Sequence, residues 1–156
     1  MFNVVLYQPE IPPNTGNIIR LCANTGCRLH LVEPMGFELN DSKLRRAGLD
    51  YHEWAEVRVH ADLASACQGA GRIYAISTRG TRRYTDAHLR AGDALVFGPE
   101  TRGLPAAYLD SLDPNRVLRI PMLQTSRSLN LSNAVAVVVY EGLRQNGFVA
   151  GSAELA

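Results

Sequence analysis

Three short segments hold the residue types that could bind a ligand or react with one. The first, Asn14-Thr15-Gly16-Asn17-Ile18-Ile19-Arg20, sets two amides and a glycine ahead of an arginine. At a helix start, exposed N–H groups favour an anion, and Arg20 nearly two turns along strengthens that field. The plainer reading is an asparagine cap with a surface arginine. The second segment, Gly98-Pro99-Glu100-Thr101-Arg102-Gly103-Leu104-Pro105, is stiffened by prolines. Gly98 would let backbone approach a flat ligand such as adenine, and Gly103 supplies a turn. The third runs from Ile120-Pro121-Met122 through Gln124 to Ala134 and is crowded with hydroxyl and amide side chains. Caps and Asx-type turns account for some of these, not all.

The elements that must position these segments follow from periodicity and turn residues. Asn3–Tyr7 reads as a strand, and Asn14 is placed to cap a helix whose apolar face carries Ile18, Leu21 and Cys22, with Gly26 ending it. Leu29–Val32, Val57–Val59, Ile73–Ser77, Ala94–Phe97 and Val117–Ile120 read as further strands. Short helices are expected at Asp41–Ala47, Asp62–Cys67 and Pro105–Leu112. Leu131–Arg144 is ambiguous: its valines favour a strand, while its length and the Ser128, Asn130, Ser132 and Asn133 cluster at its start favour a capped helix. Strand–helix alternation predicts an α/β fold with a mostly parallel sheet flanked by helices, with ligands at the carboxyl ends of the strands. The second and third segments both follow strands and would lie there.

Composition narrows the function classes. The 156 residues suit one domain, with residues from about 147 to 156 reading as a frayed tail. Sixteen Lys+Arg against fifteen Asp+Glu give a net charge of +1, so RNA binding would need local basic patches. Lys43-Leu44-Arg45-Arg46 and Arg79-Gly80-Thr81-Arg82-Arg83-Tyr84 are such clusters, the latter joining charge to an aromatic ring as RNA binding favours. Solvated surface is the ordinary reading of both. Cys22, Cys27 and Cys67 form no CxxC pair and point to a reducing compartment. His30, His52, His60 and His88 are scattered without HExxH, so no metal site is expected. The N-terminus lacks signal-peptide features, and Ala134–Tyr140 is far too short to cross a bilayer, which predicts a cytoplasmic protein with no membrane partner. There is no GxxxxGK[ST] loop, and Gly69-Ala70-Gly71 follows a helix, the wrong context for a dinucleotide fingerprint.

NTGNIIR (Asn14–Arg20), FGPETRGLP (Phe97–Pro105) and IPM…SRSLNLSNAVAVVVYE (Ile120–Glu141) together resemble the three ordered motifs of the SPOUT methyltransferases. VLYQPEIPPNTGNIIRLCANTG and KLRRAGLDYHEW extend the resemblance to nearly the whole chain, toward the minimal bacterial members that methylate the wobble ribose 2′-OH of leucine tRNAs. The resemblance implies an α/β fold with a C-terminal trefoil knot and a homodimer with cofactor pockets near the subunit interface. It also implies S-adenosylmethionine as methyl donor, S-adenosylhomocysteine as product, and a tRNA anticodon stem-loop as partner. By the same resemblance Ile76, Ser77, Thr78, Gly98, Glu100, Ile120, Met122, Ser128, Leu129 and Asn133 match cofactor-binding positions. Asn14, Arg20, Ser128 and Asn130 match the methyl-acceptor site, and Tyr140 a dimer contact.

On this reading Arg20 binds the phosphate beside the target ribose and helps poise its hydroxyl; arginine stays protonated and is a poor base, so proton abstraction by Arg20 stands only as an open alternative. Asn14 orients Arg20 or the ribose, while Ser128 and Asn130 fix the acceptor. Three alternatives stay open: a 2′-O-methyltransferase of another tRNA or rRNA site, a non-catalytic RNA-binding protein retaining the cofactor pocket, and an α/β binder of a small nucleotide.

Overall fold

The computed structural model describes residues 1–39, 56–150 and 153–154. The helix expected at Asp41–Ala47, the Lys43–Arg46 basic cluster and His52, Glu53 and Trp54 lie outside the described residues. Strands β1 (Asn3–Tyr7), β2 (Arg28–Val32), β3 (Val57–His60), β4 (Ile73–Ile76), β5 (Arg82–Arg83), β6 (Ala94–Phe97) and β7 (Val117–Arg119) form one sheet in the order β3-β2-β1-β6-β4-β7-β5. All its pairings are parallel. All four residues of β6 are buried, as befits a central strand covered on both faces.

Helix α1 (Pro12–Thr25) and helix α4 (Leu131–Gln145) pack together on one face. Their Ile18, Ile19, Val135, Val138 and Val139 join Leu6, Leu29, Leu95, Phe97 and Leu118 of the sheet in one core. Helices α2 (Leu63–Ala66) and α3 (Ala106–Ser111) bring Ala66 and Leu109 onto the other face, over Val5, Ala75, Val96 and Val117.

The ambiguous valine segment is helix α4. Its four valines cost roughly 2 kcal/mol of helix propensity relative to alanine. Val135, Val138 and Val139 are fully buried, and each burial contributes about 1.5 kcal/mol or more. Burial therefore outweighs propensity. Asn14 does not cap α1: Ile11 holds the N-cap position, Pro12 and Pro13 open the helix, and Asn14 lies in its first turn. Proline is preorganised for that start and adds no orphan N–H, so the helix begins before the asparagine. Gly26 ends α1 in a left-handed conformation, as expected.

The β4–β7–β5 edge departs from simple winding. Strands β4 and β5 follow one another in the chain, yet β7 lies between them: Leu118 pairs with Ile76 on one side and Arg82 on the other. Parallel strands of one sheet ordinarily need a connection of about a dozen residues, and here residues 77–81 join two that are separated by a third. Gly80 makes this possible, since a Cβ there would meet the backbone of Leu118 at 2.7 Å. The two-residue strand β5 is not among the strands expected from the sequence, because two arginines carry no strand pattern of their own. Beyond α4, β8 (Val149–Ala150) pairs antiparallel with β9 (Ala153–Glu154).

Away from the carboxyl edge, His30 is buried with Nδ1 2.9 Å from His60 Nε2 and Nε2 3.3 Å from Asn3 Oδ1. Burial first, then the charges of His60, Arg58 and Arg28, push its pKa from the ordinary 6.5 down to about 4. The unfolded chain therefore binds a proton near 6.5 that the folded chain refuses until about 4. The neutral ring's contribution to stability, full above 6.5, falls away as pH drops through that window. Between pH 7 and pH 5 this one group should lower unfolding free energy by about 2 kcal/mol. Urea melts at the two pH values should show His30→Asn losing that part of the difference; an unchanged difference would refute the assignment.

Candidate active site

A cleft of about 570 Å³ opens at the carboxyl ends of β4, β6 and β7, within the size range of small-molecule sites. Each wall is a chain segment that has just left a strand or is about to enter a helix. Ile76, Ser77 and Thr78 come from the end of β4, residues 97–104 from the end of β6, and Ile120 and Met122 from beyond β7. Residues 127–131 and Ala134 come from the start of α4, and Ile11 and Asn14 from the start of α1. The lining mixes apolar side chains with hydroxyls, amides and loop backbone.

A chain of hydrogen bonds holds the three segments in register. The Glu100 carboxylate accepts from the Glu10 N–H at 2.8 Å, the Ile11 N–H at 3.1 Å and the Asn14 side-chain amide at 3.1 Å. It serves as the cap that α1 lacks from its own sequence, and its negative charge sits where the helix dipole favours one. The Asn14 Oδ1 accepts from the Asn130 Nδ2 at 3.0 Å. The Asn130 Oδ1 in turn accepts from the Ser132 and Asn133 N–H groups at 3.0 and 3.3 Å, capping α4. One carboxylate and two amides thus join two helix starts to the loop after β6.

A second clasp closes the same loop. The Glu10 carboxylate accepts from the Thr101 hydroxyl at 2.7 Å and from the Thr101 N–H at 3.3 Å. Arg102 donates to the Gln8 Oε1 at 2.6 Å and lies 3.8 Å from Glu10. Gln8 holds a left-handed backbone (φ 47), which costs about 1 kcal/mol for a residue with a Cβ. Its N–H bond to Val32 at 3.0 Å and its side-chain bonds to Glu33 and Arg102 hold that conformation in place.

The residues singled out from the sequence fall as follows. Asn14, Ile76, Ser77, Thr78, Gly98, Glu100, Ile120, Met122, Ser128, Leu129 and Asn130 line the cleft. Arg20 is exposed further along α1, outside the lining. Asn133 is exposed on the first turn of α4, also outside it. Gly98 lines the cleft for a reason other than room for a ligand: a Cβ there would come within 2.3 Å of the Leu104 nitrogen, so the loop closes on itself at that point. Ile11, Phe97, Leu104 and Arg127 also line the cleft without having been singled out. Their apolar or charged character is visible in the sequence, but no local signal tells that they face this space. Glu10 escapes sequence reasoning as well, a lone carboxylate in a proline-rich turn whose partner lies 91 positions away.

The network has a measurable worth. Glu100→Gln replaces one accepting oxygen by a donor facing N–H groups, and should cost about 1 to 3 kcal/mol. Asn130→Ala removes a helix cap and should cost about 1 kcal/mol. Denaturant melts would check both; two variants as stable as the parent would remove the network as the organiser of the cleft.

The likeness to known proteins is extensive. The profile of the SpoU rRNA Methylase family matches residues 1–140. A tRNA (cytidine(34)-2′-O)-methyltransferase of Saccharophagus degradans is 62% identical over 154 residues, covering 97% of this chain and 99% of that protein. One of the same name from Escherichia coli K12 is 58% identical over 150 residues, covering 95% and 96%. A solved structure concerned with the 2-OH methylation of C/U34 on tRNA superposes with a TM-score of 0.86 at 45% identity, covering 96% of this chain and 98% of that one. The parallel seven-stranded sheet flanked by helices is the architecture that these structures share. With the match running through all three polar segments in order, the chain belongs to the SpoU rRNA methylase family.

Proposed function

We propose that this protein is an RNA 2′-O-methyltransferase that moves a methyl group from S-adenosylmethionine to the ribose 2′-OH of the wobble nucleotide, C or U at position 34, of tRNA. Leucine tRNAs and their anticodon stem-loop are the substrate of choice on this reading, and the product is S-adenosylhomocysteine. The supporting observation is the cleft itself: three family motifs converge on one space, and relatives about 60% identical over nearly their full length carry that activity in their names.

The residues present fit the donor. Its adenine ring suits the apolar Ile76, Ile120, Met122 and Leu129, and its polar groups suit the hydroxyls of Ser77, Thr78 and Ser128 with the loop backbone around Gly98. When bound, the donor supplies an electrophilic methyl carbon on a sulfonium centre. The chain's own task is to hold the acceptor oxygen in line with that carbon and to let its proton leave. Apolar side chains keep bulk water from the reacting atoms. Ser128 and Asn130, both at the cleft wall, orient the ribose hydroxyl.

Asn14 uses both ends of its amide within the protein, so it acts by holding Asn130 and Glu100 rather than by touching the ribose. Arg20 stands outside the cleft lining and meets the RNA rather than the donor, binding the phosphate next to the target ribose. Glu100 supports the donor loop through its bonds to the start of α1.

On the same reading the enzyme is a cytoplasmic homodimer. Val137 and Tyr140 are large side chains left exposed on α4, 37% and 49% accessible, and suit a subunit contact. The passage of β7 between β4 and β5 suits a C-terminal trefoil knot. No helix among the described residues is long and apolar enough to cross a membrane.

Radiolabelled methyl transfer to unmodified tRNA, followed by nucleoside mass spectrometry, should place a 2′-O-methyl group at position 34. Arg20→Ala should lower the transfer rate by about 100-fold or more, as loss of a positioned charged group does. Its donor affinity, measured by calorimetry, should change by less than about 2-fold, since uniform and transition-state binding separate in this way. Equal losses in both would contradict the role given to Arg20, and a wild-type protein that methylates no tRNA would end the whole proposal.

A further inference from the structure

The basic segment Arg79–Tyr84 is split by the fold into parts with different tasks. Arg82 turns inward, donating to the Asn115 carbonyl at 3.1 Å and to the Asp86 carbonyl, and so ties β5 to neighbouring turns. Tyr84 is partly buried against the main core. Arg79 and Arg83 remain exposed.

Arg83 is not alone at that edge. The parallel register sets it directly beside Arg119, which is also exposed. Neighbouring strands lie about 4.8 Å apart, and residues in register on them project to the same face of the sheet. The two arginine side chains therefore leave the outermost strand pair on the same face, where like charges in register cost stability when nothing separates them. Among the described residues neither has a carboxylate within ion-pair distance. The acids nearby in the chain are engaged elsewhere: Asp113 accepts from the Asn115 N–H at 2.9 Å, Asp86 from the Thr85 hydroxyl at 3.3 Å, and Asp110 lies 3.5 Å from Arg79. That last pair is more than half exposed on both sides, so water screens it and it exchanges readily for another anion. The edge is also joined to the cleft. Arg119 precedes Ile120, and Arg79 follows Thr78, both of which line it.

We propose that Arg83 and Arg119, assisted by Arg79, form a phosphate-binding track on the β5–β7 edge that leads the RNA backbone to the cleft. A bridging phosphate converts a repulsive arginine pair into a charge-assisted one, since guanidinium forks match phosphate oxygens. A chain of net charge +1 can hold a polyanion through a local group of this kind, since the field near the RNA depends on the nearby charges more than on the total. The inference rests on the tRNA reading above and adds a surface to it.

The test uses the full-length protein with Arg83→Gln and Arg119→Gln combined, and Arg83→Lys with Arg119→Lys as the charge-preserving control. Binding of unmodified tRNA is followed by fluorescence anisotropy across a salt series. The Gln pair should flatten the slope of log K against log salt by about 1.5, as expected for two lost phosphate contacts. The Lys pair should restore most of the slope. In methyl-transfer assays the Gln pair should raise KM for tRNA about 10-fold, as the loss of uniform binding does, with kcat changed little. Unchanged slope and KM in a variant that melts like the parent would overturn the track. So would a loss of affinity for polyglutamate without any loss for RNA, which would assign the edge to an acidic protein. The anisotropy arm reads RNA binding alone, so it judges the track even if the wild-type protein transfers no methyl group.

Discussion

The cleft depends on one carboxylate placed where two proline residues leave a helix without a cap of its own. Glu100 comes from the loop after β6, yet it accepts hydrogen bonds from the backbone just ahead of α1 and from the Asn14 side chain within it. Asn14 then passes the constraint to Asn130, and Asn130 caps α4. Each member of this chain is satisfied by the next, as polar groups at a protein's interior edge must be. Shifting any one of the three loops would break bonds in the other two. That coupling lets three segments far apart in sequence present one surface to a ligand.

The sheet supplies the rigid part of the arrangement. Six parallel pairings end at the same side, and the loops that leave β4, β6 and β7 do so at nearly the same height, with Ile76 level with both Phe97 and Leu118. The passage of β7 between β4 and β5 brings Ile120 and Met122 beside Ser77 and Thr78, and Gly80 permits it by giving its Cβ space to the Leu118 backbone. An ordinary doubly wound connection would have placed those loops on separate crossovers. The same passage sets Arg83 beside Arg119 at the sheet edge, so the wall of the cleft and that arginine register arise from a single topological feature.

Much of this fold is legible in the order of residues. Six of the seven strands of the main sheet can be placed to within a residue, because short apolar runs bounded by Gly, Pro and Asn are a strong signal when the sheet is covered on both faces; β5, β8 and β9, two residues each, carry no such run. Most of the residues assigned to the site from the motifs do line one cleft. Asn14 is the counter-example: local chemistry favours it as a helix cap, while the Pro12-Pro13 pair begins the helix earlier. Gly98 stands out for ligand approach, whereas the contact that demands it is made by the chain at Gly103 and Leu104.

What the sequence determined by itself was local and periodic: an alternating α/β chain, three polar segments next to strand ends, and a family resemblance carried by their order. What only the tertiary structure decided was which groups face one another. Whether the valines of α4 make a helix was decided by burial against α1 and the sheet, an energy absent from the segment alone. Which carboxylate caps α1, which arginines stand in register and which strand lies between β4 and β5 were likewise fixed by contacts across up to 116 positions. Hydrogen bonds and charge repulsion act over a few ångströms of space, and the order of residues along a chain does not by itself say which of them will come that close.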